Sequence, residues 1–237
     1  MADTKSVRIC GMMKTTLLDF PGKVACTLFL AGCNMRCPFC HNPRVVYGND
    51  EIINTEEVFS FLKKRRGILD GVCITGGEPT LYGDPLITFI KEIKELGYLV
   101  KLDTNGTSPS LLRSLIDMHL LDYVAMDVKS ALTEEAYTRA CGVSVDIQKI
   151  KESISLLKEG KTDFEFRTTV VLPLHTKEDI ILAAKELAGG KRYFLQSFVD
   201  SGELISTDNE FLAMPKEEME AAAREASLYI PTSVRGI

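Results

Sequence analysis

The stretch VACTLFLAGCNMRCPFCHNP, residues 24–43, joins a continuous apolar run to a loop that carries three cysteines. Near-continuous apolar runs of this length are typical of strands that are covered on both faces, as in a parallel sheet between helices. In parallel α/β folds, functional groups collect at the carboxyl ends of the strands. Because the cysteines directly follow the apolar run, the stretch predicts a parallel sheet with a chemical site at that end.

The alternation of apolar runs and amphipathic stretches continues along the chain. Further strands are predicted at 71–75, 98–104, 123–129, 164–171 and 193–198, and helices near 55–66, 84–96, 108–119, 146–159, 176–188 and 215–228. In the helix at 84–96, Leu86, Phe89 and Ile93 share one face, with charges opposite. Six strand–helix units predict an α/β fold, a partial (β/α)6 TIM-like barrel of parallel strands with the site at their carboxyl ends.

Domain organisation follows from the same pattern. The chain shows no internal repeat, low-complexity tract or Pro/Ser-rich linker, which predicts one domain over residues 1–237. The longest predicted loop is DSGELISTDNEF, residues 200–211.

Unusual polar and glycine-rich segments follow the predicted strands. TGGEP follows the second strand, DTNG ends the third, and Asp127 with Lys129 closes the fourth. Arg167 lies within the fifth strand, where an unpaired charge is costly, and Gln196 lies near the end of the sixth. Because these strand ends meet at one edge of a parallel sheet, the segments are predicted to share a site with the cysteine loop.

Cys33, Cys37 and Cys40 have the spacing C-x3-C-x2-C. Thiolates are soft ligands for iron–sulfur clusters or zinc, and clustered thiols in a protein without an export signal point to metal or catalysis. A structural zinc site needs four ligands, and no second C-x-x-C is present, while His41 is too close to Cys40 for easy joint coordination. Three thiolates on a four-iron cluster would leave one iron open to another molecule.

The cysteine loop, with Phe39 before its last cysteine, and GGEP (76–79) resemble the motifs of the radical S-adenosylmethionine (radical SAM) superfamily. The resemblance implies an oxygen-sensitive [4Fe–4S] cluster on Cys33, Cys37 and Cys40, with S-adenosylmethionine as the second cofactor. Three shorter segments, CHNP (40–43), LDTNG (102–106) and MDVK (126–129), resemble the branch of glycyl-radical-enzyme activating enzymes.

The resemblance implies a set of cofactor-binding residues: Asn42, Gly76, Gly77, Glu78, Asp103, Asn105, Asp127, Lys129, Arg167 and Gln196. By similarity to the pyruvate formate-lyase activating enzyme, it also implies a monovalent cation, Na⁺ or K⁺, at Asp103, Thr104, Met126 and Asp127. Simpler interpretations stay open: Asp103 also fits an Asx turn, and Asp127, Lys129 and Arg167 also fit structural ion pairs. Gln196 stands where the best-known activating enzyme has histidine.

KTTLLDFPGKVACTLFLAGCNMRCPFCHNP (14–43) and SVRG (233–236) most resemble the longer form of the anaerobic ribonucleoside-triphosphate reductase activating protein. This implies reductive cleavage of S-adenosylmethionine and removal of a hydrogen from a glycine Cα of a partner glycyl radical enzyme. An electron donor, flavodoxin or ferredoxin, is implied, and no catalytic residue beyond the cofactors. The alternatives are activation of a pyruvate formate-lyase-like enzyme, a small-molecule radical SAM enzyme such as the ring-contraction enzyme of the deazapurine pathway, and a non-catalytic zinc module.

Composition excludes some partners. A net charge of −5 gives no reason to expect nucleic acid or an anionic membrane. No apolar run approaches the roughly 18–20 residues that span a bilayer, and the segment at 1–10 lacks the features of a signal peptide, which predicts a cytoplasmic enzyme. The other cysteines, Cys10, Cys26, Cys73 and Cys141, lack ligand spacing and are predicted to be structural. His119 and His175 receive no role.

Overall fold

The computed structural model describes residues 6–200, 202–207 and 210–237. Its strands are β1 (Ile9–Thr16), β2 (Ala25–Leu30), β3 (Gly71–Gly76), β4 (Leu99–Thr104), β5 (Tyr123–Asp127), β6 (Asp163–Leu172), β7 (Tyr193–Ser197), β8 (Leu212–Ala213) and β9 (Thr232–Arg235). Its helices are α1 (Pro43–Tyr47), α2 (Thr55–Lys64), α3 (Asp84–Glu95), α4 (Pro109–Asp117), α5 (Glu134–Cys141), α6 (Ile147–Lys158), α7 (Lys177–Glu186) and α8 (Lys216–Ala226), with a 3₁₀ turn at Pro79–Tyr82.

The sheet runs in the order β1-β2-β3-β4-β5-β6-β7-β9, and β8 adds to β6. The strands β2 to β7 are parallel neighbours, β9 is parallel to β7, and β1 is antiparallel to β2. Within the described residues, the sheet ends at β1 on one side and at β9 on the other. The predicted partial TIM-like barrel of six parallel strands is therefore confirmed, with one strand added at each end.

Local sequence explains why these elements form. In α3, Leu86, Ile90 and Ile93 are fully buried against the sheet, and the charged residues of this helix lie on its other face. At the start of α7, the side chains of Thr176 and Asp179 each accept a hydrogen bond from the other residue's backbone N–H, which forms a capping box. Alternating layers of this kind bury the strands on both faces.

Several elements were not predicted. β1 and β9 carry polar and glycine residues, so their patterns do not stand out without the neighbouring strand that pairs with them. Helix α5 spans eight residues, too few for a clear helical period. The described residues of the predicted loop at 200–211 contain neither helix nor strand, and positions 201, 208 and 209 lie outside the described residues. The first five residues of the N-terminal segment also lie outside them.

Within the described residues, none of the helices combines the length and the apolar character that crossing a bilayer requires.

Candidate active site

A cavity of about 600 Å³ lies at the carboxyl ends of the parallel strands. It brings together most of the residues predicted from the sequence: Cys33, Cys37, Cys40, Asn42, Gly76, Gly77, Glu78, Asp103, Thr104, Asn105, Asp127, Lys129, Arg167 and Gln196. Met126 is the exception, because its side chain is buried beside Gly106 and does not line the cavity. The register of the parallel sheet is what gathers these positions, which span more than 160 residues of chain.

The cysteine loop is held by Arg36. The Arg36 Nη1 donates hydrogen bonds to the carbonyl oxygens of Cys33, at 2.6 Å, and Met35, at 2.7 Å. The guanidinium also stacks over the ring of Tyr47, 5.0 Å from its centroid. A backbone hydrogen bond from Cys40 N to the Cys37 carbonyl, at 2.9 Å, closes the second half of the loop. These contacts order the loop through its backbone, and the three cysteines line the cavity.

The three thiols have different surroundings. Burial raises the pKa of Cys33 to about 11 and raises that of Cys40. A hydrogen bond with the Cys141 thiol acts the other way on Cys37 and lowers its pKa to about 7. Among the described residues, no three His, Cys, Asp or Glu side chains converge as the ligands of one metal ion do. An iron–sulfur cluster places its thiolates on separate irons, and three cysteines of one loop that line the same cavity fit that group.

The GGEP loop packs against the cysteine loop. Gly77 N donates to the Leu30 carbonyl at 2.9 Å, and Glu78 N donates to the Gly32 carbonyl at 2.8 Å. A Cβ atom on Gly77 would overlap the Gly32 carbonyl oxygen. Glycine at position 77 is therefore required by the contact between these two loops, and this requirement is independent of a ligand.

We expect Gly77→Ala to separate these two loops. The new methyl group meets backbone, which cannot rotate away as a side chain can, so the free energy of unfolding should fall by about 2–3 kcal/mol. Gly97→Ala is the matched control, because Gly97 has a positive φ but open space around it, and its cost should be about 1 kcal/mol. Urea denaturation followed by circular dichroism measures both. An equal cost for the two variants would contradict the packing argument.

Glu78 ties the ends of two strands together. Its carboxylate is 1 % exposed and accepts hydrogen bonds from Thr80 N, Thr80 Oγ1, Thr104 Oγ1 and Asn105 N. Four donors satisfy most of the lone pairs of a carboxylate. The sequence predicted cofactor contact for Glu78, and the structure gives its oxygen atoms protein partners at the edge of the cavity. Its evident role is to hold the loops after β3 and β4 in register.

Asn105 has a similar linking role. Its Nδ2 donates to Asn34 Oδ1 at 2.8 Å, and its Oδ1 accepts from Thr107 N and Thr107 Oγ1. Asn34 in turn donates to Thr107 Oγ1 at 2.9 Å. These bonds join the DTNG loop to the cysteine loop across the cavity wall. The predicted cofactor contact of Asn105 therefore competes with bonds that its side chain already makes.

Charged side chains cross the centre of the barrel. Arg167 contacts Asp103 at 3.2 Å and Asp127 at 2.9 Å, and Lys129 contacts Asp127 at 3.0 Å. Asp103 has a second partner in the buried Lys101. Burial alone would raise the pKa of Asp127, but the charges of Arg167 and Lys129 outweigh it and hold this pKa at about 2.

These ion pairs bear on the predicted cation site. Both of its carboxylates, Asp103 and Asp127, already bind cationic side chains, and the hydroxyl of Thr104 donates to Glu78. The structure thus assigns the charge balance of the two carboxylates to Arg167, Lys129 and Lys101. A bound Na⁺ or K⁺ stays a prediction, and it is not needed to neutralise them.

His175 was given no role from the sequence. Its ring is buried; Nδ1 accepts from Val171 N at 3.0 Å, and Nε2 donates to the Lys129 carbonyl at 2.6 Å. The ring also meets Phe39 edge to face, with 6.2 Å between centroids. Burial lowers the pKa of His175, consistent with a neutral imidazole in these bonds. His175 lies 46 residues after Lys129 in the sequence, so no local pattern indicates this contact.

Asp19 and Thr27 were also missed. Both line the cavity, and the Thr27 hydroxyl donates to the Asp19 carboxylate. Thr27 sits in an apolar strand, and Asp19 precedes Phe20-Pro21-Gly22, which has the composition of a turn. An acidic residue before a turn is common enough to carry no functional signal by itself.

The arrangement of the site now has a family context. Residues 27–187 match a family model described as "Radical SAM superfamily". This range includes the cysteine loop, the GGEP loop and the charged centre. The chain belongs to the radical SAM superfamily. This radical SAM enzyme therefore uses a [4Fe–4S] cluster and S-adenosylmethionine as cofactors.

Relatives of this radical SAM enzyme carry names that describe different functions. It is 36% identical over 232 residues to "Putative glycyl-radical enzyme activating enzyme MJ1227" of Methanocaldococcus jannaschii, covering 95% of this chain and 94% of the relative. It is 28% identical over 154 residues to a 7-carboxy-7-deazaguanine synthase of Methanospirillum hungatei, covering 65% of this chain and 61% of that one.

A solved structure shares the fold of this radical SAM enzyme. The domain of a pyruvate-formate lyase-activating enzyme from Bacteroides vulgatus superposes with a TM-score of 0.56 and 20% identity, covering 70% of this chain and 99% of that chain. At this identity, the likeness concerns the architecture of the sheet and its helices.

Proposed function

We propose that this radical SAM enzyme activates a glycyl radical enzyme, and that its partner is an anaerobic ribonucleoside-triphosphate reductase. The observation that carries the proposal is the extent of the likeness to the M. jannaschii protein, which covers 95% of the chain. The deazaguanine synthase matches a shorter part, 65% of the chain. Cofactor motifs are common to all branches of the superfamily, so likeness beyond those motifs is the better guide to the substrate.

The proposal assigns roles to the walls of the cavity. Cys33, Cys37 and Cys40 hold the [4Fe–4S] cluster, and Lys129 faces the negative charge that the cofactor brings. When bound, the two cofactors together supply the reductive cleavage of S-adenosylmethionine and the hydrogen-abstracting radical. Asn42 and Gln196, which line the cavity, complete the predicted binding residues. One continuous sheet of described strands supports the proposal that residues 1–237 act as a single radical SAM domain.

The far side of the cavity supports a polypeptide substrate. After β7, the lining of the cavity continues along Phe198 and Val199. Val199 is 69% exposed, so the cavity opens to solvent on this side. A chain segment that brings a glycine Cα to the cofactors needs an approach of this kind, because it must enter and leave while still joined to its own protein.

A second candidate is a small-molecule radical SAM enzyme of the deazaguanine synthase type. The observation in its favour is a set of polar groups inside the barrel, notably Asp19, Thr27 and Arg167, that could hold a polar ring. Arg167 already binds two carboxylates, however, and Asp19 accepts from Thr27. These internal bonds already use part of the hydrogen-bonding capacity of all three side chains.

The proposed function predicts partner-dependent radical transfer. The protein is reconstituted anaerobically with iron and sulfide, reduced with dithionite and mixed with S-adenosylmethionine, and 5′-deoxyadenosine is quantified. A glycyl radical signal in electron paramagnetic resonance (EPR) should appear when anaerobic ribonucleotide reductase is added. A pyruvate formate-lyase and a deazaguanine precursor are tested in parallel. A glycyl radical on the formate-lyase alone would change the assigned partner, and turnover of the precursor would favour the second candidate.

The remaining parts of the proposal concern the cell. An activating enzyme of this kind takes its electron from a flavodoxin or a ferredoxin and works in the cytoplasm. The reconstituted protein should therefore cleave S-adenosylmethionine when reduced flavodoxin or ferredoxin replaces dithionite.

A further inference from the structure

Lys129 lies just beyond the end of β5, outside the regular hydrogen bonds of the sheet. β5 ends at Asp127, and a backbone bond from Val128 N to the Arg167 carbonyl follows at 2.8 Å. The residue after Lys129, Ser130, is buried, and its hydroxyl has no hydrogen-bond partner within the described residues. The peptide groups of Lys129 are therefore held by side chains of other elements.

Two buried side chains hold the backbone of Lys129 from both sides. The Tyr137 hydroxyl accepts a hydrogen bond from Lys129 N at 3.3 Å, and His175 Nε2 donates to the Lys129 carbonyl at 2.6 Å. Tyr137 has no exposed surface, and His175 is 1% exposed. Because a carbonyl oxygen can only accept, the imidazole proton is on Nε2, and Nδ1 accepts from Val171 N at 3.0 Å. The imidazole ring thus ties Lys129 to β6.

Both side chains belong to segments that contact the cysteine loop. Tyr137 lies on α5, and the end of this helix bonds the loop, because Arg36 N donates to the Cys141 carbonyl at 2.8 Å. The ring of His175 packs edge to face against Phe39, with 6.2 Å between centroids. The backbone of Lys129 is therefore held by the same two segments that pack against the proposed cluster ligands.

We propose that His175 and Tyr137 are positioning residues that fix the backbone of Lys129 and so place its ammonium for the negative charge of S-adenosylmethionine. The inference rests on the proposed function of Lys129. The ammonium lines the cavity and contacts Asp127 at 3.0 Å, but it is carried on a flexible four-carbon stem. Where the ammonium can reach is consequently set by where the backbone is held.

Two substitutions at position 175 separate the two bonds of the imidazole. His175→Gln keeps an Nε2 donor that can reach the Lys129 carbonyl, whereas the side chain of His175→Asn is too short to reach it. His175→Asn instead keeps an acceptor near the position of Nδ1 for Val171 N. Both variants lose the ring contact with Phe39, so the difference between them reports the bond to Lys129.

Binding of S-adenosylmethionine is measured by equilibrium dialysis. The reconstituted protein is used without a reductant, so that the cofactor is bound and not cleaved. We expect His175→Asn to raise the dissociation constant on the order of tenfold, and His175→Gln to stay within about twofold of the parent. Equal dissociation constants for the two variants would overturn the inference, because the loss of the ring alone would then account for the result.

Tyr137→Phe tests the bond on the other side of Lys129, and its result stands even if His175→Asn does not fold. It removes the acceptor of Lys129 N and keeps the buried ring, so the dissociation constant should rise about fivefold. Tyr98→Phe is the matched control, because the buried Tyr98 hydroxyl donates to the Leu62 carbonyl at 2.7 Å and does not line the cavity. A Tyr137→Phe protein that binds as tightly as Tyr98→Phe would overturn the inference.

Lys129→Met separates a failure of the inference from a failure of the proposed function. If this variant binds S-adenosylmethionine as the parent does, the proposed function of Lys129 fails, and the inference fails with it. If it binds more weakly, adding His175→Asn should cost little more, because His175 acts through Lys129. Full additivity of the two losses would overturn the inference alone.

Hydrogen exchange of the iron-free protein gives a measurement without either cofactor. Mass spectrometry follows the peptide that contains Lys129, whose N–H is bonded to Tyr137. His175→Asn and Tyr137→Phe should each speed exchange in this peptide, whereas His175→Gln and Tyr98→Phe should stay close to the parent. Unchanged exchange in both of the first two variants would overturn the inference.

Discussion

Replacing Cys33, Cys37 and Cys40 together by alanine is expected to lower formation of 5′-deoxyadenosine to the background without enzyme. The three cysteines line the cavity and are the proposed soft ligands of the iron–sulfur cluster. Without them no cluster can be held, so both the iron content and the brown colour should also disappear. Anaerobic reconstitution, iron analysis and quantification of 5′-deoxyadenosine by chromatography measure the three effects.

The matched control is Cys10→Ala combined with Cys26→Ala. Neither of these two residues lines the cavity, so this variant should keep its iron and its activity. The triple variant should also keep its helical circular dichroism, because the cysteine loop is held by backbone bonds from Arg36. A triple variant that still binds about four irons per chain would contradict the assignment of the ligands.

Arg167→Met is expected to lower the free energy of unfolding by about 3 kcal/mol. Arg167 is only 14% exposed and lies between Asp103 and Asp127, so its removal leaves two carboxylates short of a partner inside the barrel. Removing one partner of a buried ion pair typically costs about 3–5 kcal/mol. The lower end applies because Lys101 and Lys129 still compensate the carboxylates, and Asp127 is partly exposed. Urea denaturation of the iron-free protein measures this free energy.

A control and a double variant separate charge from packing. Arg113→Met removes an exposed arginine whose partner is Glu159, and it should change the free energy of unfolding by less than about 0.5 kcal/mol. Adding Asp127→Asn to Arg167→Met removes one of the two carboxylates that lose a partner and should recover part of the loss, because the other partner of Asp127, Lys129, is 20% exposed and can be hydrated. No recovery would mean that the arginine stabilises the barrel through its side-chain volume rather than through its charge.

The ion pairs of Asp103 and Asp127 also bear on the predicted site of a monovalent cation. By resemblance, a monovalent cation was expected to sit beside Asp103 and Asp127. The structure places Arg167 between these carboxylates and brings a lysine to each, Lys101 and Lys129. Lys101 lies two residues before Asp103 on β4, so alternation along the strand puts both side chains on the inner face. That pairing was available in the sequence and was overlooked, since a lysine inside an apolar strand is usually taken to be exposed.

The sequence by itself determined the order of the parallel strands, the side of the sheet that carries the site and the cysteines on its wall. These features can be predicted from short stretches of sequence. An apolar run indicates a buried strand, and the residues that follow it lie at the carboxyl end of that strand. The family motifs were equally local, each within a few residues, which is why fourteen of the predicted site residues line one cavity.

Only the tertiary structure decided how the site is held. The bonds of His175 with the Lys129 carbonyl, of Glu78 with Asn105 N, and of Arg36 N with the Cys141 carbonyl join residues far apart in the chain. Each depends on the register of neighbouring strands and on which helix packs over which loop. Such contacts depend on elements that are far apart in the chain. They therefore leave no pattern in the local sequence around either partner. Most of the residues that line the cavity could therefore be predicted from the sequence, whereas the contacts that position them could not.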